Sequence, residues 1–331
     1  MIQDLCVCGI LLNHHAKGAS MIIDTHVHLI RPFDAKGNPQ VYSPGRPTSA
    51  EDYVALMDAS GMDRAFFISW SPEDIPSDLL VKGIAVERVR ETMNRDYALE
   101  VMRKFPDRFY WFPCHLGPTV RDYLPVAREN LELGAAGLKL VCSFWGELPD
   151  DARLLPLYEL VQEYQAQVIL DTSFWYLGKD EPADPESLPP GHREVAEEIT
   201  DFEDYMGHLG AVVTSYPDVH FQLAHAGART FTPDHAQEVG EFIRAYPNVF
   251  ADLGALATDA PALEYLVETA GADRVMFGTD WPHFAQGEGM RQAIDHVRRP
   301  GRFPESTRSM ILGENALRFV RGRGPGLRET S

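Results

Sequence analysis

The sequence predicts an α/β protein, and within that class a (β/α)8 TIM barrel. Short apolar runs with the composition of buried strands recur through the chain, and stretches with apolar residues about every 3.6 positions separate them. Strands that alternate with helices pair in parallel through crossovers, and eight such units fit a barrel. A doubly wound open sheet is the competing fold, but it usually has fewer strands, and the Gly-rich first turn of its nucleotide-binding version is absent here.

The elements can be placed in order along the chain. The strands are expected at Met21–Thr25, Arg64–Ser69, Phe109–His115, Gly137–Val141, Gln167–Thr172, His220–Ala226, Val249–Gly254 and Arg274–Asp280. The helices are expected at Ala50–Ala59, Val86–Lys104, Val120–Leu133, Leu154–Gln165, Phe202–Tyr216, Asp234–Tyr246 and Pro261–Ala270. The first helix carries a capping-box pattern in Thr48-Ser49-Ala50-Glu51 and a stop signal in Gly61.

Composition limits the class of partner. The 331 residues are 44% hydrophobic and carry a net charge of -19, which disfavours nucleic acid and anionic membrane as partners. The four cysteines do not form a disulfide scaffold, and no apolar run reaches the roughly 18 residues of a membrane span. No basic segment precedes the mildly apolar residues 5–12, so we expect no signal peptide and a cytoplasmic protein.

The predicted barrel occupies residues 21–320 as a single domain. Residues 1–20 are expected to be an N-terminal extension without fixed structure, and residues 321–331 a C-terminal tail. An acidic, proline-rich insertion at about 176–204 follows the fifth strand and therefore overhangs the barrel mouth. It is a candidate lid or a subunit contact in a homodimer, and a solvated loop is the alternative interpretation.

The first strand ends in Asp24-Thr25-His26-Val27-His28. Alternate residues of a strand point to one side, so His26 and His28 are expected on the same face, roughly 7 Å apart along the strand. Two converging imidazoles suit a metal ion such as zinc. Two unrelated histidines on a half-buried strand are the alternative for this pair alone.

Other apolar strands also end in polar residues. Asp171 ends the fifth strand, His225 the sixth and Asp280 the eighth. The active sites of TIM barrels lie at the carboxyl ends of the strands, and buried polar residues need partners there. Together with His26 and His28, these residues predict a functional site at the mouth.

Several segments together are specific for one enzyme group: Ile23–His28, Tyr97 through Pro106–Phe109, Gly137–Leu140, Leu223–Gly227, Phe277–Pro282 and Gly313–Arg318. By these segments the chain resembles the amidohydrolase superfamily. Within it, the chain is similar to the amidohydrolase-related (amidohydrolase 2) group, which includes aminocarboxymuconate-semialdehyde decarboxylase and several lactone and aromatic-acid enzymes. The resemblance covers nearly all of 21–320. It implies a barrel of the metal-dependent hydrolase type but no particular substrate.

The resemblance also implies a site with one divalent metal ion, most often zinc. The matching ligand positions are His26, His28 and Asp280, and His225 matches the histidine that orients or deprotonates the water at the metal. Asp280 is a second candidate acceptor for that proton. His225 and Asp280 are therefore the expected catalytic residues.

The fifth strand departs from the family pattern, because Asp171 stands where a ligand histidine is usual. A carboxylate is still a competent zinc ligand, and a harder one that better tolerates manganese or iron. We therefore expect His26, His28, Asp171 and Asp280 as metal ligands. Weak or absent metal binding is the alternative that this departure leaves open.

Residues in or near the loops after the strands are candidates for substrate contacts. Lys139, on the fourth strand, is a candidate for binding a substrate carboxylate, and a metal-bridging carboxylated lysine is its alternative role in dinuclear relatives. Aromatic and basic residues together suggest a planar or unsaturated, carboxylated substrate. The candidate substrate-binding residues are Arg31, Trp70, Lys139, Trp145, Trp175, Arg229 and His283.

The function expected from these residues is metal-dependent hydrolysis of an ester, lactone or amide of a small, carboxylated or ring-containing substrate. Non-oxidative decarboxylation of an aromatic or muconate-like acid at the same site is the alternative. A second alternative is a metal-free lactonase or a non-catalytic barrel, which only the departure at Asp171 favours.

Overall fold

The computed structural model describes residues 21–33, 36–37, 47–70, 80–81, 84–85, 92–115, 123–142, 147–171, 202–227, 233–254, 260–283 and 288–328. Eight parallel strands form one sheet, in which each strand pairs with the next one along the chain. They are β1 (Ile23–Val27), β2 (Arg64–Trp70), β3 (Phe109–His115), β4 (Gly137–Leu140), β5 (Gln167–Leu170), β6 (Phe221–Leu223), β7 (Val249–Asp252) and β8 (Val275–Met276). An antiparallel pair, Leu80–Val81 with Ile84–Ala85, lies outside this sheet.

The sheet curls until its first strand meets the segment that follows its last. The amide of Thr25 donates to the carbonyl of Phe277 at 2.9 Å, and the amide of His28 donates to the carbonyl of Trp281 at 2.7 Å. The predicted TIM barrel is confirmed. All eight predicted strands overlap an observed one, although β6 and β8 are shorter than expected.

Helices follow the strands around the barrel. They are α1 (Ala50–Ser60), α2 (Arg95–Lys104), α3 (Leu124–Glu132), α4 (Leu155–Glu163), α5 (Phe202–Ser215), α6 (Pro233–Ala245), α7 (Ala260–Ala270), α8 (Glu288–Arg298), α9 (Glu305–Ser309) and α10 (Asn315–Phe319), with a π turn at Met310–Glu314. The sequence pattern predicted no helix after Ala270. In α8 the buried Met290, Ala293, Ile294 and Val297 have helical spacing, but the strong polarity of the surrounding residues hides it.

The capping box of α1 lies one residue later than the pattern suggested. Ser49 is the N-cap, and its side chain accepts a hydrogen bond from the amide of Asp52, whose carboxylate in turn accepts one from the amide of Ser49. Gly61 ends the helix at a φ of 70°, as the sequence predicted. Because α1 is fixed at both ends, its buried Tyr53 is held against β1, where it contacts the site described below.

The C-terminal helix closes the amino-terminal end of the barrel. The buried ring of Phe319 packs against the rings of Phe66, Phe112 and Phe250, with centroids 5.9, 6.3 and 5.6 Å away. The tail continues along this end, where the amide of Gly326 donates to the carbonyl of Phe109 at 3.0 Å. The buried polar residues of the lumen therefore face the opposite, carboxyl end.

No helix among the described residues is long and apolar enough to cross a membrane. Among the described residues, Cys114 and Cys142 are buried and form no disulfide, whereas Cys6 and Cys8 lie outside the described residues. The assignment of 1–20 and 176–204 as separate segments falls largely outside the described ranges, and the domain division stays a prediction.

Candidate metal centre

Three buried side chains, two from the end of β1 and one from the segment after β8, meet at the carboxyl end of the barrel. Oδ1 of Asp280 lies 3.6 Å from Nε2 of His26 and 3.4 Å from Nε2 of His28. One potential ligand atom from each of the three residues lies within 4.8 Å of the other two. The structure thus brings together the strand 1 pair and the strand 8 carboxylate that the sequence predicted as ligands.

A break in the register of β1 sets the direction of the two histidines. The pairing of β1 with β2 shifts between Asp24 and Val27, so strict alternation does not hold through the motif. The carboxylate of Asp24 accepts hydrogen bonds from the amides of His26 and Thr279, at 3.1 and 3.0 Å, and from the hydroxyls of Tyr53 and Thr279, at 2.8 and 2.6 Å. Asp24 therefore ties the strand that carries the histidines to the segment that carries Asp280.

Asp252, at the end of β7, is a site residue that the sequence analysis did not select. Its Oδ2 lies 3.1 Å from Nδ1 of His26 and accepts a hydrogen bond from Nε2 of Gln222 at 2.6 Å, while its Oδ1 accepts one from the amide of His225 at 3.1 Å. It carries the same signal as Asp171 and Asp280, since it is a polar residue that closes an apolar strand. Asp252 orients two of the predicted site histidines.

The contact with Asp252 fixes the tautomer of His26. A carboxylate only accepts, so Nδ1 carries the proton and Nε2 carries the lone pair. Nε2 lies 3.1 Å from Nζ of Lys139, which as an ammonium only donates. Lys139 also lies 3.6 Å from Oδ2 of Asp171 and is itself buried.

Two contacts at Nδ1 of His28 require opposite tautomers. The carbonyl of Ile68 lies 3.1 Å away and calls for a proton on Nδ1, whereas Nε1 of Trp70, at 3.2 Å, calls for a lone pair. With the proton directed to Ile68, the Nε2 lone pair of His28 faces Asp280, and this is the tautomer that a metal ligand needs.

His225 lies between two carboxylates. The chain turns sharply after β6, with φ values of 56° at His225 and 54° at Ala226, and this left-handed turn directs the imidazole into the mouth. Its Nε2 is 3.8 Å from Oδ2 of Asp171, and its Nδ1 is 3.8 Å from Oδ2 of Asp280. Nδ1 has no hydrogen-bond partner among the described residues.

The charges divide the histidines into two kinds. Burial, followed by the charge of Lys139, lowers the pKa of His26 and of His28, so both are neutral near pH 7. For His225, burial acts in the same direction, but Asp280, Asp171 and Asp252 together outweigh it and raise the pKa. Burial alone would raise the pKa of Asp280, but the surrounding histidines lower it by a larger amount. The pKa therefore lies below its usual value, and this carboxylate stays ionised.

This donor set fits a divalent cation. His26 and His28 offer imidazole lone pairs, and Asp280 adds a negative charge, which matches the usual nitrogen and oxygen ligands of zinc and manganese. Asp171 lies next to this group, with its Oδ2 3.6 Å from Nζ of Lys139 and 3.8 Å from Nε2 of His225. Its predicted ligand role stays a prediction.

Apart from Lys139, described above, the predicted substrate-binding residues fall into three groups. Trp70 and His283 lie beside the candidate metal ligands, with ring centroids 6.0 and 5.3 Å from that of His28. Arg31 forms an ion pair with Glu100 at 3.0 Å and lies over the ring of Tyr97, and its substrate-binding role stays a prediction. Trp145, Trp175 and Arg229 lie outside the described residues.

Comparison with known proteins adds a family and a set of similar folds. The family model described as Amidohydrolase matches residues 23–322. No curated protein matches the chain.

Similar solved structures are full-length matches of low identity. One is 5-carboxyvanillate decarboxylase from Sphingomonas paucimobilis, which is 17% identical with a TM-score of 0.58, covering 92% of this chain and 99% of that one. A second is a probable 2-pyrone-4,6-dicarboxylic acid hydrolase from Acinetobacter baumannii with citric acid bound, which is 16% identical with a TM-score of 0.57, covering 91% and 99%.

A third is 5-carboxyvanillate decarboxylase from Novosphingobium aromaticivorans, complexed with manganese and 4-hydroxy-3-methoxy-5-nitrobenzoic acid. It is 15% identical with a TM-score of 0.59, covering 91% of this chain and 96% of that one. These likenesses concern the fold.

Proposed function

The chain belongs to the amidohydrolase family, and we propose that it is a metal-dependent hydrolase of a small ester, lactone or amide with a carboxylated or ring-containing skeleton. The observation that carries this proposal is the position of His225, between Asp171 and Asp280 and beside the His26–His28–Asp280 group. A proton-transfer residue next to candidate metal ligands is the arrangement that hydrolysis by an activated water requires.

The cofactor we propose is one divalent ion held by His26, His28 and Asp280. When bound, such an ion polarises a substrate oxygen and makes water more acidic. Zinc is our first choice because two of the three donors are imidazoles. Manganese is the second, since the Novosphingobium decarboxylase is complexed with it.

The protein residues then handle the protons. His225 accepts a proton from the attacking water, and the carboxylates of Asp171 and Asp280 stabilise the imidazolium that forms. His225 returns that proton to the departing oxygen or nitrogen, so the water adds across the cleaved bond and the net proton count is unchanged. Asp252 holds the backbone of His225 in place by accepting a hydrogen bond from the amide of His225.

Decarboxylation is the second candidate, and the position of His225 between the carboxylates of Asp171 and Asp280, which stabilise its protonated form, favours it. An imidazolium at this position can donate a proton to the carbon that loses carbon dioxide, so that a carboxylate and a proton become a C–H bond and carbon dioxide. Two of the similar structures reported above are decarboxylases.

One assay separates the two reactions. The protein, loaded with zinc or manganese, is incubated in H2(18)O with panels of lactones, esters and aromatic or muconate-like acids. We expect hydrolysis to place ¹⁸O in the product, whereas decarboxylation releases carbon dioxide and leaves the rest of the product unlabelled.

Asp280→Asn should abolish turnover, and Asp295→Asn, on the exposed face of α8, is the matched control that should retain it. If the metal-loaded protein turns over none of these substrates, the result would count against both hydrolysis and decarboxylation and would favour a non-catalytic barrel.

A further inference from the structure

The position of Lys139 bears on how the centre takes up its metal. Its ammonium nitrogen lies 3.1 Å from Nε2 of His26, and the side chain is 3% exposed. The proton on Nδ1 of His26 is committed to Asp252, so the Nε2 lone pair is the only one that the ring offers. A metal ion and the ammonium therefore compete for the same pair of electrons.

Lys139 also forms an ion pair with the neighbouring carboxylate of Asp171. Nζ lies 3.6 Å from Oδ2 of Asp171, a residue that the sequence predicts as a further ligand. One positive charge thus contacts a histidine nitrogen and a carboxylate oxygen, the two kinds of donor that a divalent cation would use here. Burial strengthens the repulsion between this ammonium and any second cation in the site.

We propose that Lys139 is an internal cation that competes with the metal: it holds His26 and Asp171 while the metal is absent and must leave Nε2 of His26 before the metal binds. This residue then sets the metal affinity of the centre rather than serving as a ligand. The proposal extends the proposed function, because it assumes that His26 is a metal ligand.

Metal affinity tests the proposal directly. Lys139→Met keeps the length and burial of the side chain and removes the charge, and we expect the Kd for Mn²⁺ from isothermal titration calorimetry to fall by at least about tenfold, which corresponds to ~1.4 kcal/mol. Lys139→Arg, which keeps the charge, should not tighten binding. Lys104→Met removes an exposed lysine that pairs with the exposed Glu51 on the protein surface. This variant should leave the Kd unchanged.

The outcomes distinguish this proposal from the proposed function. Unchanged or weaker Mn²⁺ binding by a folded Lys139→Met protein would overturn the competition while leaving the metal enzyme intact. Absence of Mn²⁺ and Zn²⁺ binding in both the parent and the variant would overturn both. If circular dichroism shows that Lys139→Met is unfolded, Lys139→Gln provides the same test, with the same expected tightening, because it also removes the charge.

Discussion

At the scale of single residues, the imidazole of His26 contacts groups of opposite charge. Asp252 holds its Nδ1 proton, while Asp280 and Lys139 approach its Nε2 with opposite charges. A ring fixed in this way has little freedom to reorient, and its neutral form is favoured by burial. Its orientation depends on Asp252, which lies more than 220 positions later and which no local pattern links to it.

Replacement of His26 tests the ligand assignment. We expect His26→Ala to lose bound metal while it keeps its fold, because the imidazole is a proposed ligand and its removal leaves the barrel strands in place. Metal content after dialysis, measured by inductively coupled plasma mass spectrometry, is the readout, and circular dichroism reports the fold. His208→Ala is the matched control, since His208 pairs with Asp150 on a partly exposed surface. Equal metal content in His26→Ala and the parent would rule out this ligand.

At the scale of elements, the end of each strand matters more than its length. β6 and β8 contain only three and two residues, yet the turns after them carry His225 and Asp280, both with positive φ. The sequence identified these residues by their place at strand ends. The left-handed turns that aim them were not foreseen, because neither residue is a glycine and local preference opposes that conformation.

The C-terminal helix offers a test at the same scale. Phe319→Ala removes a fully buried ring from the closed end of the barrel, and we expect it to lower the free energy of unfolding by about 3–5 kcal/mol. Urea denaturation followed by fluorescence measures this change. Phe33→Ala is the control, because Phe33 is 53% exposed and its loss should cost less than about 0.5 kcal/mol. A loss below ~1 kcal/mol for Phe319→Ala would contradict the closing role of α10.

At the scale of the whole molecule, the proposed centre joins the two ends of the chain. His26 lies on the first strand, His28 follows that strand directly and Asp280 follows the last strand, so a metal bound there stabilises the closed barrel over the unfolded chain. The increment amounts to about 2.7 kcal/mol when the metal concentration is 100 times the Kd. A rise in Tm on addition of Zn²⁺ or Mn²⁺ is the expected result.

The pH dependence of that rise follows from the histidine charges. Because burial and Lys139 lower the pKa of His26 and His28 below 6.5, protons compete with the metal only in more acidic solution. We expect the metal-induced rise in Tm to persist from pH 8 to pH 6 and to decline below that. The difference between metal-loaded and metal-free samples at each pH removes the titration of other groups. A rise that already disappears between pH 7 and 6 would contradict the neutral state of the two histidines.

Sequence alone determined the barrel, its strand order along the chain and the mouth residues His26, His28, His225 and Asp280. This was possible because strand–helix alternation and polar strand ends are local patterns that repeat in register. Local patterns did not single out Asp252 or the helices after Ala270. The substrate-binding role of Arg31, which pairs with Glu100, stays a prediction.

Only the tertiary structure decided which of these residues are in contact and which ring nitrogen of His26 carries the proton. The tautomer of His26, the ammonium of Lys139 at its Nε2 and the hydrogen bonds to Asp24 from Tyr53 and Thr279 each join residues from different elements. Such contacts depend on the closure of the barrel and on the register break in β1, which set distances of a few ångströms between positions remote in sequence. The pattern of residues specifies the site's location, and the packing of the closed sheet sets its charges.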